Sequence, residues 1–371
     1  MQQLLEFNLA TLKSKLIEDG FEGYRAAQIF DWVFKKHCIQ PEKMTNLSQP
    51  LRLWLAGRLQ ALEKVQDEAS NDGQTTKTLW RLRDGMLVES VLIEAPGRYT
   101  LCVSSQVGCA ARCAFCASGK QGLIRNLTTA EILEQFVRTQ ASLAERGVHL
   151  TNLVFMGMGE PLHNLEAVTA TIAVLTDEKG AHFSARRITV STVGIVEGID
   201  QLAKEDLGVN LVLSLHAPNQ EIRKRIIPIA RKYPLEDVLA ACDRYSQATG
   251  RDLTYEYTLL AGWNDQVEHA QELADLIGER QCTVNLIPYN PVEGLKLERP
   301  EKEAIEAFRT VLDERGIINT CRYTKGVDIA AACGQLALRK KESSEAGLKP
   351  DSCGGESVSS RFNILSQPEC L

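Results

Sequence analysis

Residues 99–116, YTLCVSSQVGCAARCAFC, join a candidate β-strand to a loop that carries three cysteines. Six further strand-like segments follow along the chain: TNLVFMG, RITVSTV, VNLVLSLHA, LTYEYTLL, TVNLIPY and INTCRY. Helix-like segments separate most of them, and one begins with the capping-box pattern Thr128-x-x-Glu131. Repeated strand–helix units predict a parallel sheet, and six or seven units over residues 99–338 predict an α/β fold built on a partial (β/α)6-type barrel.

The segments on either side of this predicted barrel have different patterns. Residues 1–70 predict a helical accessory domain, because GYRAAQIFDWVFKK repeats apolar residues at helical spacing. Residues 71–98 predict a β-hairpin extension, with the turn dipeptide Asp84-Gly85 between two strand-like runs. Residues 339–371 are rich in serine, glycine and charged residues, and this composition predicts a disordered tail.

The composition is that of an ordinary globular enzyme, with 371 residues, 44% hydrophobic content and a formal net charge of −6. No apolar run reaches the ~18 residues that cross a bilayer, and the N-terminal segment lacks a secretory pattern. We therefore expect a cytoplasmic protein without a membrane partner, and a monomer is adequate for a chain of this size. The negative charge argues against non-specific adhesion to nucleic acid, although a local basic face permits an RNA substrate.

Eleven cysteines, spread from Cys38 to Cys370, do not predict a disulfide framework, because their number is odd and they form one tight cluster. We assign no role to Cys353 or Cys370 in the tail. In a reducing compartment, clustered thiols more often bind metal or take part in chemistry.

The cluster consists of Cys109, Cys113 and Cys116, in the spacing C-x3-C-x2-C. A structural zinc site normally needs four ligands, and the isolated Cys102, inside a predicted strand, is a poor fourth. Three thiolates suit a [4Fe–4S] cluster in which one iron has no protein ligand and can bind a substrate or cofactor. From the spacing alone, zinc and a redox-active set of thiols remain the alternatives.

The cysteine spacing, with Phe115 before the last cysteine and a strand before the loop, resembles the radical S-adenosylmethionine (SAM) superfamily. LCVSSQVGC, FMGMGEPLHN, RITVSTVGI, LSLHAP, NLIPYNP and DIAAACGQLA together resemble its RlmN/Cfr family of RNA adenine methyltransferases. The likeness covers residues 20–338, and GYRAAQIFDWVF is similar to the family's helical accessory domain. It implies a radical SAM barrel, one [4Fe–4S] cluster per chain and two SAM molecules per turnover. It also implies an electron donor such as flavodoxin or ferredoxin.

The resemblance further implies roles for three residues in the covalent chemistry. Cys333, in AAACGQLA, corresponds to the cysteine that SAM methylates and that then carries the methyl group to adenine. Cys102 corresponds to the thiol that releases the product by a transient disulfide with the carrier. Glu89, in LVESVL, corresponds to the acceptor of the adenine proton. Without the resemblance, both cysteines would be interpreted as core packing and the glutamate as part of a solvated strand face.

The SAM site is expected at the carboxyl ends of the strands, where barrel enzymes place their chemistry. The candidates there are Gly159, Glu160, Ser191, Ser214, Leu215, His216 and Asn290. Several basic residues are candidates for contact with RNA phosphates: Lys120, Arg125, Arg186, Arg187, Arg223, Lys224, Arg225, Arg231 and Lys232.

The resemblance thus implies a methyltransferase acting on C2 of adenosine in 23S rRNA, in the peptidyl transferase region, and on an anticodon-loop adenosine of tRNA. The enzyme alternative is methylation of C8 by the Cfr branch, since both branches share these catalytic residues. A non-catalytic, zinc-stabilised RNA-binding protein is the alternative from another class. The C2 reaction is favoured because nothing here specifically resembles the C8 branch.

Overall fold

The computed structural model of the chain describes residues 2–322 and 325–336. The predicted tail, with Cys353 and Cys370, lies outside the described residues. Among the described helices, none combines the length and the apolar character that a membrane span requires.

The β-strands of the described residues are β1 (Leu62–Ala69), β2 (Thr75–Leu82), β3 (Leu87–Ala95), β4 (Arg98–Cys102), β5 (Gln106–Gly108), β6 (Leu123–Asn126), β7 (Asn152–Phe155), β8 (Ile188–Thr192), β9 (Asn210–Ser214), β10 (Leu253–Leu259), β11 (Cys282–Pro288) and β12 (Asn319–Cys321). The α-helices are α1 (Leu9–Glu18), α2 (Arg25–Phe30), α3 (Gln49–Leu55), α4 (Ala117–Gln121), α5 (Thr129–Glu145), α6 (Leu165–Thr176), α7 (Val196–Glu205), α8 (Gln220–Ile226), α9 (Leu235–Thr249), α10 (Val267–Ile277) and α11 (Lys302–Glu314).

The predicted parallel barrel is confirmed. Strands β4, β7, β8, β9, β10, β11 and β12 are neighbours in that order, and every adjacent pair is parallel. At least one helix connects each strand to the next, and α5 begins with the predicted capping box of Thr128 and Glu131. The middle strands are covered on both faces: in β10, Tyr255 and Tyr257 on one face and Glu256 on the other are all buried.

A three-stranded antiparallel extension continues this sheet beyond β4. Strands β2 and β3 form the predicted hairpin, in which Leu82 donates its backbone N–H to the carbonyl of Met86 at 2.8 Å. Strand β3 pairs antiparallel with β4, and the whole sheet therefore contains ten strands. The helical interpretation of the chain up to residue 70 is wrong for β1, which is the mostly exposed, charged edge strand of this sheet.

The helical character of the N-terminal domain is confirmed by α1, α2 and α3, whose buried faces include Leu12, Leu16 and Ile29. A buried carboxylate in the barrel holds the connection that follows α3. Glu134 of α5 accepts the backbone N–H groups of Ala61 and Leu62, the latter at 3.3 Å. The start of β1 is thereby fixed to the first barrel helix.

Candidate active site

A cavity at the carboxyl ends of the parallel strands collects most of the residues that the sequence predicts for the site. Its lining includes Cys109, Cys113, Cys116, Cys333, Gly159, Glu160, Ser191, Ser214, His216 and Asn290. Leu215 is outside the lining, since its side chain is fully buried and its backbone N–H donates to the carbonyl of Glu256 at 3.0 Å. Cys102 and Glu89 are also outside it, beside the segment that carries Cys333.

The loop with the three cysteines is shaped by backbone contacts. Gly108, at φ +76°, enters the loop, and a Cβ there would come within 1.8 Å of the carbonyl oxygen of Gly122, so the position requires glycine. Cys109 donates its backbone N–H to that same carbonyl at 3.1 Å. Ala114 donates to the carbonyl of Ile226 in α8 at 2.8 Å, which fixes the far side of the loop against the barrel.

The three thiols suit an iron–sulfur cluster. Burial raises the pKa of Cys109 to about 12 and also raises the pKa values of Cys113 and Cys116, so metal rather than ionisation must displace their protons. Backbone N–H groups of Ser118 and Gly119 bond to the Cys116 sulfur and favour its thiolate. In residues 2–322 and 325–336, no three His, Cys, Asp or Glu side chains converge on one metal ion. A cluster does not need such convergence, because each thiolate binds a different iron.

The segment after β7 brings its backbone close to the cavity. Gly159 has φ +109°, and a Cβ there would lie 2.6 Å from the side chain of Gln106. Both carboxylate oxygens of Glu160 accept backbone bonds, from Leu162 at 3.0 Å and from Val193 at 2.8 Å. Burial raises the pKa of Glu160 to about 7, against the opposing effect of these donors. Gly159 is therefore required for the close approach of this segment to Gln106 at the cavity lining.

Polar groups from β8 and β9 form the opposite wall. The hydroxyls of Ser191 and Ser214 lie 3.2 Å apart. His216 accepts the backbone N–H of Thr258 at Nδ1, at 2.9 Å, and its ring packs edge-to-face on Phe115 in the cysteine loop. Burial lowers the pKa of His216 to about 3, so the imidazole is neutral and its remaining proton is on Nε2.

The segment that carries Cys333 packs directly on the cysteine loop. The carbonyl of Gly334 accepts the backbone N–H of Ala117 at 2.7 Å, and Asn290 donates its amide to the Cys333 carbonyl at 3.5 Å. Cys333 keeps exposed surface because it faces the cavity, while the protein around it raises the pKa of its thiol to about 12. The predicted carrier thus lies in the same cavity as the cluster cysteines.

Cys102 and Glu89 are both buried beside this segment. The pKa of the Cys102 thiol is raised mainly by burial and, to a smaller extent, by the nearby Cys333 thiol. Glu89 on β3 lies 3.3 Å from the ammonium of Lys77, which also donates to the backbone carbonyl of Ile329 at 2.8 Å. One buried lysine therefore connects the predicted proton acceptor to the segment that carries the predicted methyl carrier.

Sequence reasoning missed Lys77 and Glu256. Glu256 lines the cavity from the middle of β10 and raises the pKa of the Cys333 thiol. The signal for Glu256 was available, because a charged residue within the apolar run LTYEYTLL is unusual in a strand covered on both faces. Lys77 gives no such signal, since its segment TKTLWRL reads as a half-solvated strand.

The expected phosphate contacts are partly wrong. Arg223 is fully buried in α8 and therefore cannot reach an RNA backbone. The guanidinium of Arg125 donates to a carboxylate oxygen of Asp84 at 2.6 Å and forms a bidentate ion pair with Glu131. Arg225 stacks over Trp263, 4.8 Å from the ring centroid, and stays a candidate.

Comparisons with known proteins match both parts of the chain. The family described as "Ribosomal RNA large subunit methyltransferase N-terminal domain" matches residues 2–60, and "Radical SAM superfamily" matches residues 103–277. A curated relative in Protochlamydia amoebophila, named probable dual-specificity RNA methyltransferase RlmN 2, is 58% identical over 91% of this chain and 95% of its own length. The corresponding RlmN protein of Thermotoga neapolitana is 45% identical over 93% of this chain and 100% of its own.

A solved structure is also similar over nearly the whole described chain. It is a radical SAM methyltransferase from Sphaerobacter thermophilus, with a TM-score of 0.89 and 47% sequence identity. The match covers 91% of this chain and 99% of that one. The helical domain, the extension and the barrel therefore occur together in another protein of this architecture.

Proposed function

The chain belongs to the RlmN family of radical SAM RNA methyltransferases, and we propose that it methylates C2 of adenosine in both 23S rRNA and tRNA. The main support for the proposal is that Cys333 lines the same cavity as Cys109, Cys113 and Cys116, and that Cys102 is buried near Cys333. The curated relatives are named as dual-specificity RNA methyltransferases, which supports two RNA substrates.

The residues that would hold the two cofactors line the same cavity. Cys109, Cys113 and Cys116 would hold one [4Fe–4S] cluster per chain, while Gly159, Glu160, Ser191, Ser214, His216 and Asn290 would surround SAM. Leu215 lies behind this lining, because its backbone N–H and carbonyl bond to Glu256 and Arg223. When bound, the cluster and SAM supply the radical that removes hydrogen from an S-methyl group. Two SAM molecules are consumed per turnover, since one supplies the methyl group and the other the radical.

The residues of the chain then divide the covalent work. Cys333 faces the cavity and carries the methyl carbon to the adenine, to which its sulfur becomes linked through that carbon. Glu89 takes the proton from the substituted adenine carbon, and Lys77 stabilises the Glu89 carboxylate from 3.3 Å. The adduct also gives up its unpaired electron, which the cluster would accept when bound. The Cys102 thiol then loses its proton, its sulfur bonds to the Cys333 sulfur, and the sulfur–carbon bond breaks. The carbon left on the adenine takes up a proton to become the methyl group, and the RNA leaves. The resulting disulfide is reduced before the next cycle.

The RNA substrate must place an unstacked base in this cavity, because the chemistry lies below the protein surface. The helical domain offers three pairs of a cation over an aromatic ring: Arg25 with Tyr24, Lys36 with Trp32, and Arg58 with Trp54. Pairs of this kind can contact phosphates and stack on bases of a single-stranded loop. The protein acts as a monomer with a one-electron donor of the flavodoxin or ferredoxin type.

The product of the reaction tests the proposal. Anaerobically reconstituted protein is incubated with SAM, a reductant and either a 23S rRNA fragment or unmodified tRNA, and the digested nucleosides are separated by mass spectrometry. We expect 2-methyladenosine from both RNAs and none with Cys333→Ala. A product of 8-methyladenosine would overturn the assigned position, and methylation of rRNA without tRNA would remove the second substrate.

A further inference from the structure

We infer that Arg223 is the counter-charge of the iron–sulfur cluster, a cation built into the barrel to stabilise the cluster's negative charge and raise its reduction potential. The inference rests on the proposed cluster site at Cys109, Cys113 and Cys116. It adds a residue that binds neither iron nor SAM but belongs to α8, the helix to which the cysteine loop is hydrogen-bonded.

The guanidinium of Arg223 is held rigidly inside the protein. The residue has 0% exposed surface. Its Nη2 donates to the carbonyl of Val193 at 2.6 Å, and its Nε donates to the carbonyl of Leu215 at 3.3 Å. These carbonyls directly follow β8 and β9, so the cation is fixed at the end of the barrel where the cavity opens. Its third nitrogen, Nη1, is buried without a hydrogen-bond partner among the described residues.

A buried cation of this kind needs an anion nearby, because removing its charge from water costs several kcal/mol. Two thiols raise the pKa of the Arg223 guanidinium against the larger, opposing effect of its burial, namely those of Cys113 and Cys242. Burial raises the pKa of Cys242 to about 12, so that thiol stays neutral. Cys113 is the group that becomes anionic, when it binds iron as a thiolate.

The other neighbours do not compensate the charge. His216 is neutral, and Arg223 itself helps to keep it so. The loop that carries Cys113 is also tied to the helix of Arg223, since Ala114 donates to the carbonyl of Ile226 at 2.8 Å. Cluster loop and cation therefore keep a fixed relation to each other.

A four-iron cluster on three thiolates is anionic, and its reduction adds one more negative charge. A fixed positive charge stabilises the reduced form more than the oxidised form, and net charge is one determinant of cluster potential. Arg223 should thus shift the midpoint potential to a less negative value and ease electron entry. In the protein without a cluster, the same arginine is an uncompensated buried charge and should lower stability.

The test compares Arg223→Gln and Arg223→Lys with the wild type, using Lys204→Gln, which removes one exposed positive charge from α7, as the control. Each full-length protein is reconstituted anaerobically; iron and sulfide are counted, and the midpoint potential is measured by a redox titration followed by electron paramagnetic resonance. The melting temperature is measured with and without the cluster.

We expect Arg223→Gln to shift the potential to a more negative value, or to lose the cluster, while the cluster-free protein melts no lower than the wild type. The potential of Arg223→Lys should lie between those of Arg223→Gln and the wild type, and Lys204→Gln should match the wild type in potential, iron content and melting temperature. An unchanged potential at full iron content in Arg223→Gln overturns the inference. If Arg223→Gln lowers the melting temperature equally with and without the cluster, Arg223 has only a packing role, and the inference is again overturned. Wild-type protein that binds no [4Fe–4S] cluster would instead refute the proposed function.

Discussion

Cys333 and Cys102 are neighbours in different surroundings, and this difference suits two successive steps. Cys333 is exposed in the cavity, where a substrate can meet it, whereas Cys102 is buried at the end of β4. A buried thiol is protected from outside reagents, and the nearby Cys333 sulfur is the partner that it can attack. In the proposed mechanism, Cys333 would carry the methyl group and Cys102 would release the product.

Replacement of Cys333 by alanine should reduce methyl transfer to the background level while the iron content stays at that of the wild type. The reason is that Cys333 faces the cavity without belonging to the three-cysteine loop. Product nucleosides and bound iron are measured on the same preparation. Cys282→Ala, in β11 and outside the cavity lining, is the matched control and should keep its activity. Loss of the cluster in Cys333→Ala would contradict the separate role.

Replacement of Cys102 by alanine should leave the protein covalently attached to RNA, because the releasing thiol is missing. Labelled RNA that migrates with the protein through a denaturing gel measures this adduct. The double variant Cys102→Ala/Cys333→Ala should give no adduct, since the attachment point is gone. Turnover by Cys102→Ala without an adduct would remove its assigned role.

Replacement of Lys77 by methionine should impair both stability and turnover. The Lys77 ammonium contacts Glu68 at 3.2 Å, Glu89 at 3.3 Å and the Ile329 carbonyl, and its side chain is 6% exposed. Removing one partner of a buried ion pair costs about 3–5 kcal/mol. We expect chemical denaturation to show a decrease of this size in the free energy of unfolding. We also expect the covalent RNA adduct to accumulate, because Glu89 would remove the adenine proton more slowly. Lys77→Arg, which keeps the charge, should retain most of the stability and most of the turnover. Turnover of Lys77→Met equal to that of the wild type would contradict the role of Lys77 in supporting Glu89.

The residues of the site differ in how far sequence reveals them. Cys109, Cys113 and Cys116 are readable because their spacing is short and local. Lys77 and Arg223 cannot be recognised in this way, because their hydrogen-bond partners, Ile329 and Val193, are distant in sequence and become neighbours only in the fold. A lysine or arginine in an amphipathic segment reads as solvated surface unless its burial is known.

At the scale of elements, α5 joins the helical domain to the barrel through one carboxylate. Glu134→Gln should lower the free energy of unfolding by about 1.5–3 kcal/mol, the range for hydrogen bonds to charged groups. The Glu134 side chain is 1% exposed, accepts two backbone N–H groups and pairs with Arg138 at 2.6 Å. Denaturant titration measures the effect. Glu145→Gln, exposed on the same helix, should stay within about 0.5 kcal/mol of the wild type; an equal effect of both would refute the joining role.

The elements of the barrel could be predicted because buried parallel strands contain continuous apolar runs, such as LVF in β7 and LVL in β9. Strand β1 could not, because LEKVQDEA is charged and lacks a clear alternation. Its strand conformation comes from pairing with β2 along a register from Leu62 to Ala69. Long-range pairing of this kind overrides local preference.

At the scale of the whole molecule, a chain with net charge −6 must bind RNA through local positive groups. Lys36→Gln/Arg58→Gln should weaken RNA binding and reduce the slope of log affinity against log salt by about 0.7–0.9 for each phosphate that the protein no longer neutralises. Both residues stack on tryptophan rings of the helical domain. Binding is measured by fluorescence anisotropy at several salt concentrations. Lys302→Gln, exposed on α11, should change neither quantity, and an unchanged slope in the double variant would exclude this domain from phosphate binding.

The hydrogen bonds that fix the Cys333 segment join parts of the chain that are synthesised at very different times. Lys77 and Ile329 are 252 positions apart, and Asn71 and Asp328 are 257 apart. At about 5–20 residues per second, the segment near Ile329 leaves the ribosome roughly 10–40 s after the cysteine loop. During that interval the cysteine loop lacks the hydrogen bond from Ala117 to the carbonyl of Gly334. Iron–sulfur delivery during translation therefore meets the loop before the Cys333 segment packs on it, and delivery after release meets it with that segment in place.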